Sequence, residues 1–195
     1  MTLVLLDTNT YLRLAKRVRP MLGRQFGDKQ YVITILKDVE DEVRHSSALR
    51  FKFPWFDEPD LLAERLSTQV RLSASEKQTV TTAQSIIRGT VLSDVARYCQ
   101  DGSPPSPVDC FVLAFGQIRP AIVVTDDIGM HLVAKDFDIP VWHGYELLAK
   151  MRTHKVVSND TVRDIYDALE RNGDMTAAWA KAKHTTFLKV FGKAP

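Results

Sequence analysis

Four short apolar runs, Leu3–Leu6, Tyr31–Ile35, Ala121–Thr125 and Ile139–Trp142, punctuate a chain otherwise written largely in helical periods. The first three are nearly continuous aliphatic runs. Strands covered on both faces read this way, whereas a sheet with one wet face alternates apolar and polar residues. Long stretches, not two-residue turns, separate the runs. They therefore predict parallel strands joined by right-handed helical crossovers, an α/β fold around a central parallel sheet.

Helix signals fill the gaps. Ser75-x-x-Gln78 resembles a capping box and opens a helical stretch to about Gln100, with Gly89 marked as its bend or break. Asp101-Gly102-Ser103-Pro104-Pro105 forces a loop. Ser106-Pro107 then supplies an N-cap and a first-turn proline for a helix whose stripe is Val108, Phe111, Val112 and Phe115. Towards the end, Val162, Ile165, Tyr166 and Leu169 keep the helical period up to Asn172-Gly173, and Met175 to Phe191 predicts one further helix. Residues 1–149 read as one domain and residues 150–195 as a helical extension of it.

Composition narrows the class. A hydrophobic content of 45% excludes a wholly disordered chain. The run before Asp7 is too short for a signal-peptide core or a membrane span, so a soluble, cytoplasmic protein is expected. Cys99 and Cys110 lack the spacing and the histidines of a zinc site and are expected to be reduced, buried thiols. The net charge of +2 is unevenly spread, with 17 basic and 19 acidic residues in 1–149 against 9 and 5 in 150–195. An acidic body with a basic tail suits an acidic centre beside a phosphate-attracting surface, and equally a solvated helical tail.

The acids carry the chemistry. Asp7 directly follows the first strand and Asp126 and Asp127 follow the third run, and functional groups in open parallel sheets gather at the carboxyl ends of strands. Each is equally placed to cap the next helix. Asp109 lies three residues past Ser106, where a helix N-terminus favours a carboxylate, beside an apolar face that must pack on the sheet. In Lys37-Asp38-Val39-Glu40-Asp41-Glu42-Val43, helical geometry sends Asp38 and Asp41 to solvent. Glu40 and Glu42 fall on opposite flanks of the buried direction, and periodicity does not choose between them. Gathered carboxylates repel unless a counter-charge joins them, which points to a hard divalent cation, Mg²⁺ or Mn²⁺.

The order of these motifs resembles the PIN-domain nucleases, including the VapC-type toxins of prokaryotic toxin–antitoxin pairs, over roughly residues 3–148. The residues that carry the likeness are Leu3-Val4-Leu5-Leu6-Asp7-Thr8-Asn9, an acid in the helix after the second strand, Asp109 opening a late helix, Val123-Val124-Thr125-Asp126-Asp127, and Phe137-Asp138-Ile139-Pro140-Val141. The resemblance implies a three-layer α/β/α fold and a metal-dependent endoribonuclease that leaves a 5′-phosphate and a 3′-hydroxyl. It implies Mg²⁺ or Mn²⁺ on Asp7, Asp109, Asp127 and Glu42, the last chosen over Glu40 because an aliphatic residue, Val43, follows it. Thr125 would hydrogen-bond near the scissile phosphate or the water, Asp126 would take a variable position, and Asn9 would help order the site. Apart from the resemblance, Arg13 follows Asp7 closely and is taken with Asn9 as a substrate-binding candidate. RNA, a small antitoxin protein and a second copy of the chain are the candidate partners. A catalytically weak PIN-like RNA-binding or assembly module is the rival. A haloacid-dehalogenase-type phosphotransferase fits less well, because Asn9 stands where that pattern has a second Asp.

Two features go beyond a compact toxin of this kind. The aromatic run Phe51-Lys52-Phe53-Pro54-Trp55-Phe56 is suited to stacking bases, to holding an antitoxin segment, or to joining two helices. The chain also runs on to residue 195 past the matching part.

Overall fold

A computed structural model describes residues 1–100 and 102–193; the loop expected over Asp101–Pro105 therefore lies partly outside the described residues. The chain opens with β1 (Thr2–Leu6), α1 (Thr8–Leu14), β2 (Gln25–Phe26), β3 (Tyr31–Thr34) and α2 (Lys37–His45). Then follow α3 (Ser47–Lys52), a 3₁₀ turn at Pro54–Asp57, α4 (Pro59–Thr68), α5 (Ala74–Ser93), α6 (Val95–Tyr98) and α7 (Pro107–Ile118). The chain continues through β4 (Ala121–Val124), α8 (Ile128–Asp136), β5 (Val141–Trp142) and α9 (Gly144–Thr153) to α10 (Asn159–Arg171), α11 (Ala177–His184) and α12 (Leu188–Phe191).

Among the described residues the sheet has the order β2-β3-β1-β4-β5, parallel throughout except for the antiparallel edge strand β2. Val4, Leu5 and Leu6 are consecutive and all fully buried, so residues pointing to opposite faces are both covered. That is the covering on both faces expected from the aliphatic runs, and it agrees with the α/β/α layering that the resemblance implies. The chain leaves β1 towards β3 on one side and leaves β4 towards β5 on the other. The carboxyl ends of β1 and β4, paired at Leu6–Val124, thus flank the point where the connections diverge, and a crevice opens there.

Several boundaries differ from the sequence expectation, each for a local reason. The cap of α5 is Ser73 with Glu76, not Ser75 with Gln78: Ser73 accepts from the Glu76 N–H while Glu76 accepts from the Ser73 N–H. The break before Gln100 falls at Asp94, not Gly89. The Asp94 side chain accepts from Arg97 N at 3.3 Å and recaps the chain as α6. Gly89 stays in α5, held there by the buried row Val80, Ala83, Ile87 and Val91.

β5 is shorter than Ile139–Trp142, because Pro140 has no N–H and joins the sheet only by its carbonyl, 2.9 Å from Val123 N. β2 is too brief to show any period. The helix expected over Met175–Phe191 is two, since the chain turns at Thr185–Phe187 to bury Phe187. α9 runs across position 149–150, so no connecting segment separates the extension from what precedes it. Cys110 is buried and Cys99 half-buried, both as free thiols. Among the described residues no helix is long and apolar enough to cross a membrane.

α8 approaches the segment before α7 through Gly129. A Cβ there would stand 2.3 Å from the Tyr98 carbonyl oxygen and 3.0 Å from Asp127 Oδ1. Backbone cannot give way as a side-chain tip can, so Gly129→Ala should cost about 1–3 kcal/mol by overpacking. Thermal denaturation would show it as a drop of several degrees; an unchanged Tm would mean that this contact is loose.

Candidate active site

The site is built at the crevice between β1 and β4. Asp7 ends β1: its backbone N–H bonds Val124 O at 3.0 Å, and its side chain caps α1, with Oδ1 accepting from Thr10 N at 2.6 Å. Oδ2 accepts from Thr125 Oγ1, also at 2.6 Å. Both sequence readings of Asp7, cap and site, are therefore realised by different oxygens of one carboxylate. Asp7 is only 3% exposed and its hydrogen-bond partners are neutral, so burial pushes its pKa up from 3.8 to about 7, with a small further rise from Asp109.

Thr125 links the two strand ends. Its hydroxyl donates to Asp7 and accepts from Asp127 N at 3.1 Å. Asp127 itself heads α8, with Oδ1 accepting from Met130 N at 2.7 Å. Asp109 forms a capping box with Ser106 at the start of α7: its Oδ2 accepts from Ser106 N at 2.8 Å, and its N–H donates to Ser106 Oγ at 3.1 Å. Burial raises its pKa as well.

The two glutamates of α2 go to different surroundings. Glu42 accepts from the Thr8 hydroxyl, and its pKa is raised by burial and then by the charge of Asp109. Glu40, 4% exposed, faces the other way. Arg44 holds it at 2.7 Å, Gln69 donates to it, and the buried Arg65 stands 3.5 Å from it. Asp41 faces Lys37 at 3.8 Å. The charge of Asp109 is felt at both Asp7 and Glu42, and Thr125 ties the Asp127 backbone to Asp7. Among the described residues no three such side chains stand together as a ready-made metal cage.

Asp126, given no role by the sequence, is the most heavily engaged acid of the region. Oδ2 accepts from Arg13 Nη1 and from Trp179 Nε1, each at 2.7 Å, and Oδ1 accepts from Gly144 N at 2.9 Å. Burial raises its pKa, but His143, Arg13, Trp179 and the Gly144 N–H together outweigh burial and hold it below the ordinary carboxylate range. Arg13, expected at the substrate, therefore has its charge met by Asp126. With exposed Asn9, Asp127, His143 and Thr176 it lines a cleft of about 350 Å³ beside the acids.

His131 Nε2 donates to Thr125 O at 2.9 Å, and its ring stacks on His143 with centroids 3.9 Å apart. In the aromatic run, Phe53, Trp55 and Phe56 are buried, while Phe51, at 91%, Lys52 and Pro54 are exposed. The three buried aromatics form a hydrophobic joint.

No family model and no curated protein matches this chain. Among solved structures it is similar to "Crystal Structure of FitAcB from Neisseria gonorrhoeae", at 14% identity, covering 73% of this chain and 98% of that one, with a TM-score of 0.46. A likeness at that level carries no argument about activity.

Proposed function

We propose that this chain is a metal-dependent endoribonuclease of the PIN type, hydrolysing RNA phosphodiester bonds, and the toxin of a toxin–antitoxin pair. The observation that supports this best is Asp7, a buried carboxyl at the divergence point of a parallel sheet, held by neutral donors and repelled by Asp109. Residues 1–149 would be the nuclease domain and 150–195 its extension. An antitoxin and a second copy of the chain would be its partners and the cytoplasm its place of action.

Asp7, Glu42, Asp109 and Asp127 would hold Mg²⁺ or Mn²⁺. The donor chemistry suits such an ion: it is all oxygen, and burial disfavours the ionised state of Asp7, Glu42 and Asp109, with the charge of Asp109 adding to this at Asp7 and Glu42. Bound there, the ion would supply a counter-charge, an acidified water and polarisation of a phosphoryl oxygen. The chain's own groups do the positioning. Thr125 fixes one oxygen of Asp7 by donating to it and ties the Asp127 backbone to the same hydroxyl. Asn9 stands exposed at the cleft mouth, in place to meet substrate. Lys37, Arg71 and Lys77 line a hollow of about 520 Å³ together with Asp38 and Asp41.

The second reading is a PIN-like RNA-binding or assembly module with a weak centre. It is favoured by the oxygens that Asp7, Asp109 and Asp127 each spend on a helix N-terminus. RNA cleavage with Mg²⁺ or Mn²⁺, with and without chelator, separates the two. The nuclease reading expects cleavage that chelator abolishes and that Asp127→Asn lowers at least about 100-fold, the upper end of what losing a supporting group costs a metal site. Binding of RNA with no cleavage under any of these conditions would favour the module.

A further inference from the structure

The extension reaches the acidic centre at one buried point. Trp179, on α11, is fully buried, and its indole N–H donates to Asp126 Oδ2 at 2.7 Å. The same oxygen receives Arg13 from α1, and the other receives the Gly144 N–H at the start of α9. Asp126 sits between Thr125, which bonds Asp7, and Asp127, which heads α8. Three donors from three helices, two of them beyond position 143, therefore converge on the middle residue of the segment that carries the site. A tryptophan N–H buried against an ionised carboxylate forms a charge-assisted bond, stronger than a neutral one. The ring is gripped from behind by Tyr166, at 5.4 Å between centroids, and by Tyr145 at 6.1 Å.

We propose that Trp179 and Asp126 are positioning residues: the C-terminal extension latches the Thr125–Asp127 segment in its working geometry, so that the site is incomplete without the extension. The latch acts through Thr125 on Asp7 and through the chain on Asp127, and touches no substrate. Its link to catalysis rests on the nuclease reading; its mechanical part does not. The close fit is visible at Gly144, where a Cβ would meet Asp126 Oδ2 and Trp179 Cζ2, each at 3.0 Å.

The test uses the full chain. Trp179→Phe keeps a ring and removes the N–H, and Gly144→Ala wedges the same junction from the other side. Lys181→Ala, at an exposed position of the same helix and outside the latch, is the control. Amide hydrogen exchange at residues 125–130 should speed up about tenfold or more in both latch variants and stay unchanged in the control, as expected for loss of one charge-assisted bond. Mn²⁺ affinity and RNA cleavage should fall in parallel, with kcat reduced and KM unchanged. Unchanged exchange at 125–130 in a folded Trp179→Phe, or in Gly144→Ala should the first not fold, overturns the latch. Faster exchange in the latch variants, with a wild type that neither binds Mn²⁺ nor cuts RNA, would leave the latch standing and remove the nuclease reading instead.

Discussion

Asp7→Asn is expected to abolish metal-dependent RNA cleavage and Mn²⁺ binding while making the metal-free protein more stable at neutral pH. The two effects have one cause. A carboxyl at about 7 when folded and 3.8 as an ordinary group favours the protonated form in the folded state. Its contribution to stability is therefore complete below about pH 4 and is lost as the pH rises through 7, because ionisation is then forced on a buried group. At about 1.4 kcal/mol per pKa unit the upper bound on the loss is about 4 kcal/mol. An amide of the same shape keeps the acceptor for Thr10 N and carries no charge at any pH. Urea unfolding of the metal-free proteins should give matching stabilities near pH 4 and a widening advantage for Asp7→Asn up to pH 8. Saturating Mn²⁺ should then restore the wild type alone, by roughly 3 kcal/mol at a hundredfold excess over Kd. Since binding the ion requires the ionised carboxyl, Mn²⁺ affinity should weaken as the pH falls below 7. A variant less stable than wild type at pH 8 would show that Asp7 is a helix cap and nothing more.

How much of this was legible in the sequence follows from how local each signal is. The strands were, because Leu3–Leu6 and Ala121–Val124 are apolar at every position and both faces of the sheet are covered. So was the position of Asp7 and Asp127 at strand ends. Helix boundaries were partly readable: Ser106–Pro107 announces α7, but Ser73 and Ser75 compete for one cap, and only the reach of Glu76 back to Ser73 decides. The separation of Glu40 from Glu42 was beyond periodicity, since each lies on a flank of α2. It is settled by Arg65 and Gln69 from α4 and its end on one side and Thr8 from α1 on the other. Asp126 was the least readable residue. Its partners Arg13, Gly144 and Trp179 lie 113, 18 and 53 positions away, and no local pattern encodes such a convergence.

The largest loss of stability is expected from Arg65→Ala. Arg65 has no exposure at all, yet its charge has to be met. Nη1 donates to Tyr11 Oη at 3.1 Å, Glu40 lies 3.5 Å from Nε, and the guanidinium carbon stands 3.8 Å over the Phe56 ring. Among the described residues Nε and Nη2 find no hydrogen-bond partner, so the contact with Glu40 is one of charge rather than of a directed bond. Truncation opens a cavity against Phe56 and Tyr11 and leaves Glu40, itself 4% exposed, with only Arg44 and Gln69. Removing one member of a buried pair costs about 3–5 kcal/mol, and in a chain of this size each kcal/mol lowers Tm by about 2–4 °C. Thermal denaturation should therefore show a fall of roughly 10 °C or more. Arg65→Met, which refills most of the volume, should lose distinctly less. In a double-mutant cycle with Glu40→Gln the two losses should be non-additive, because the substitutions remove the same interaction. Strict additivity would mean that ring packing, not charge, holds Arg65. The site should feel the change as well, since Arg65 ties α4 to Tyr11, four residues after Asp7, and to the helix that carries Glu42. Folded Arg65→Ala should accordingly bind Mn²⁺ more weakly than Arg65→Met at equal fraction folded.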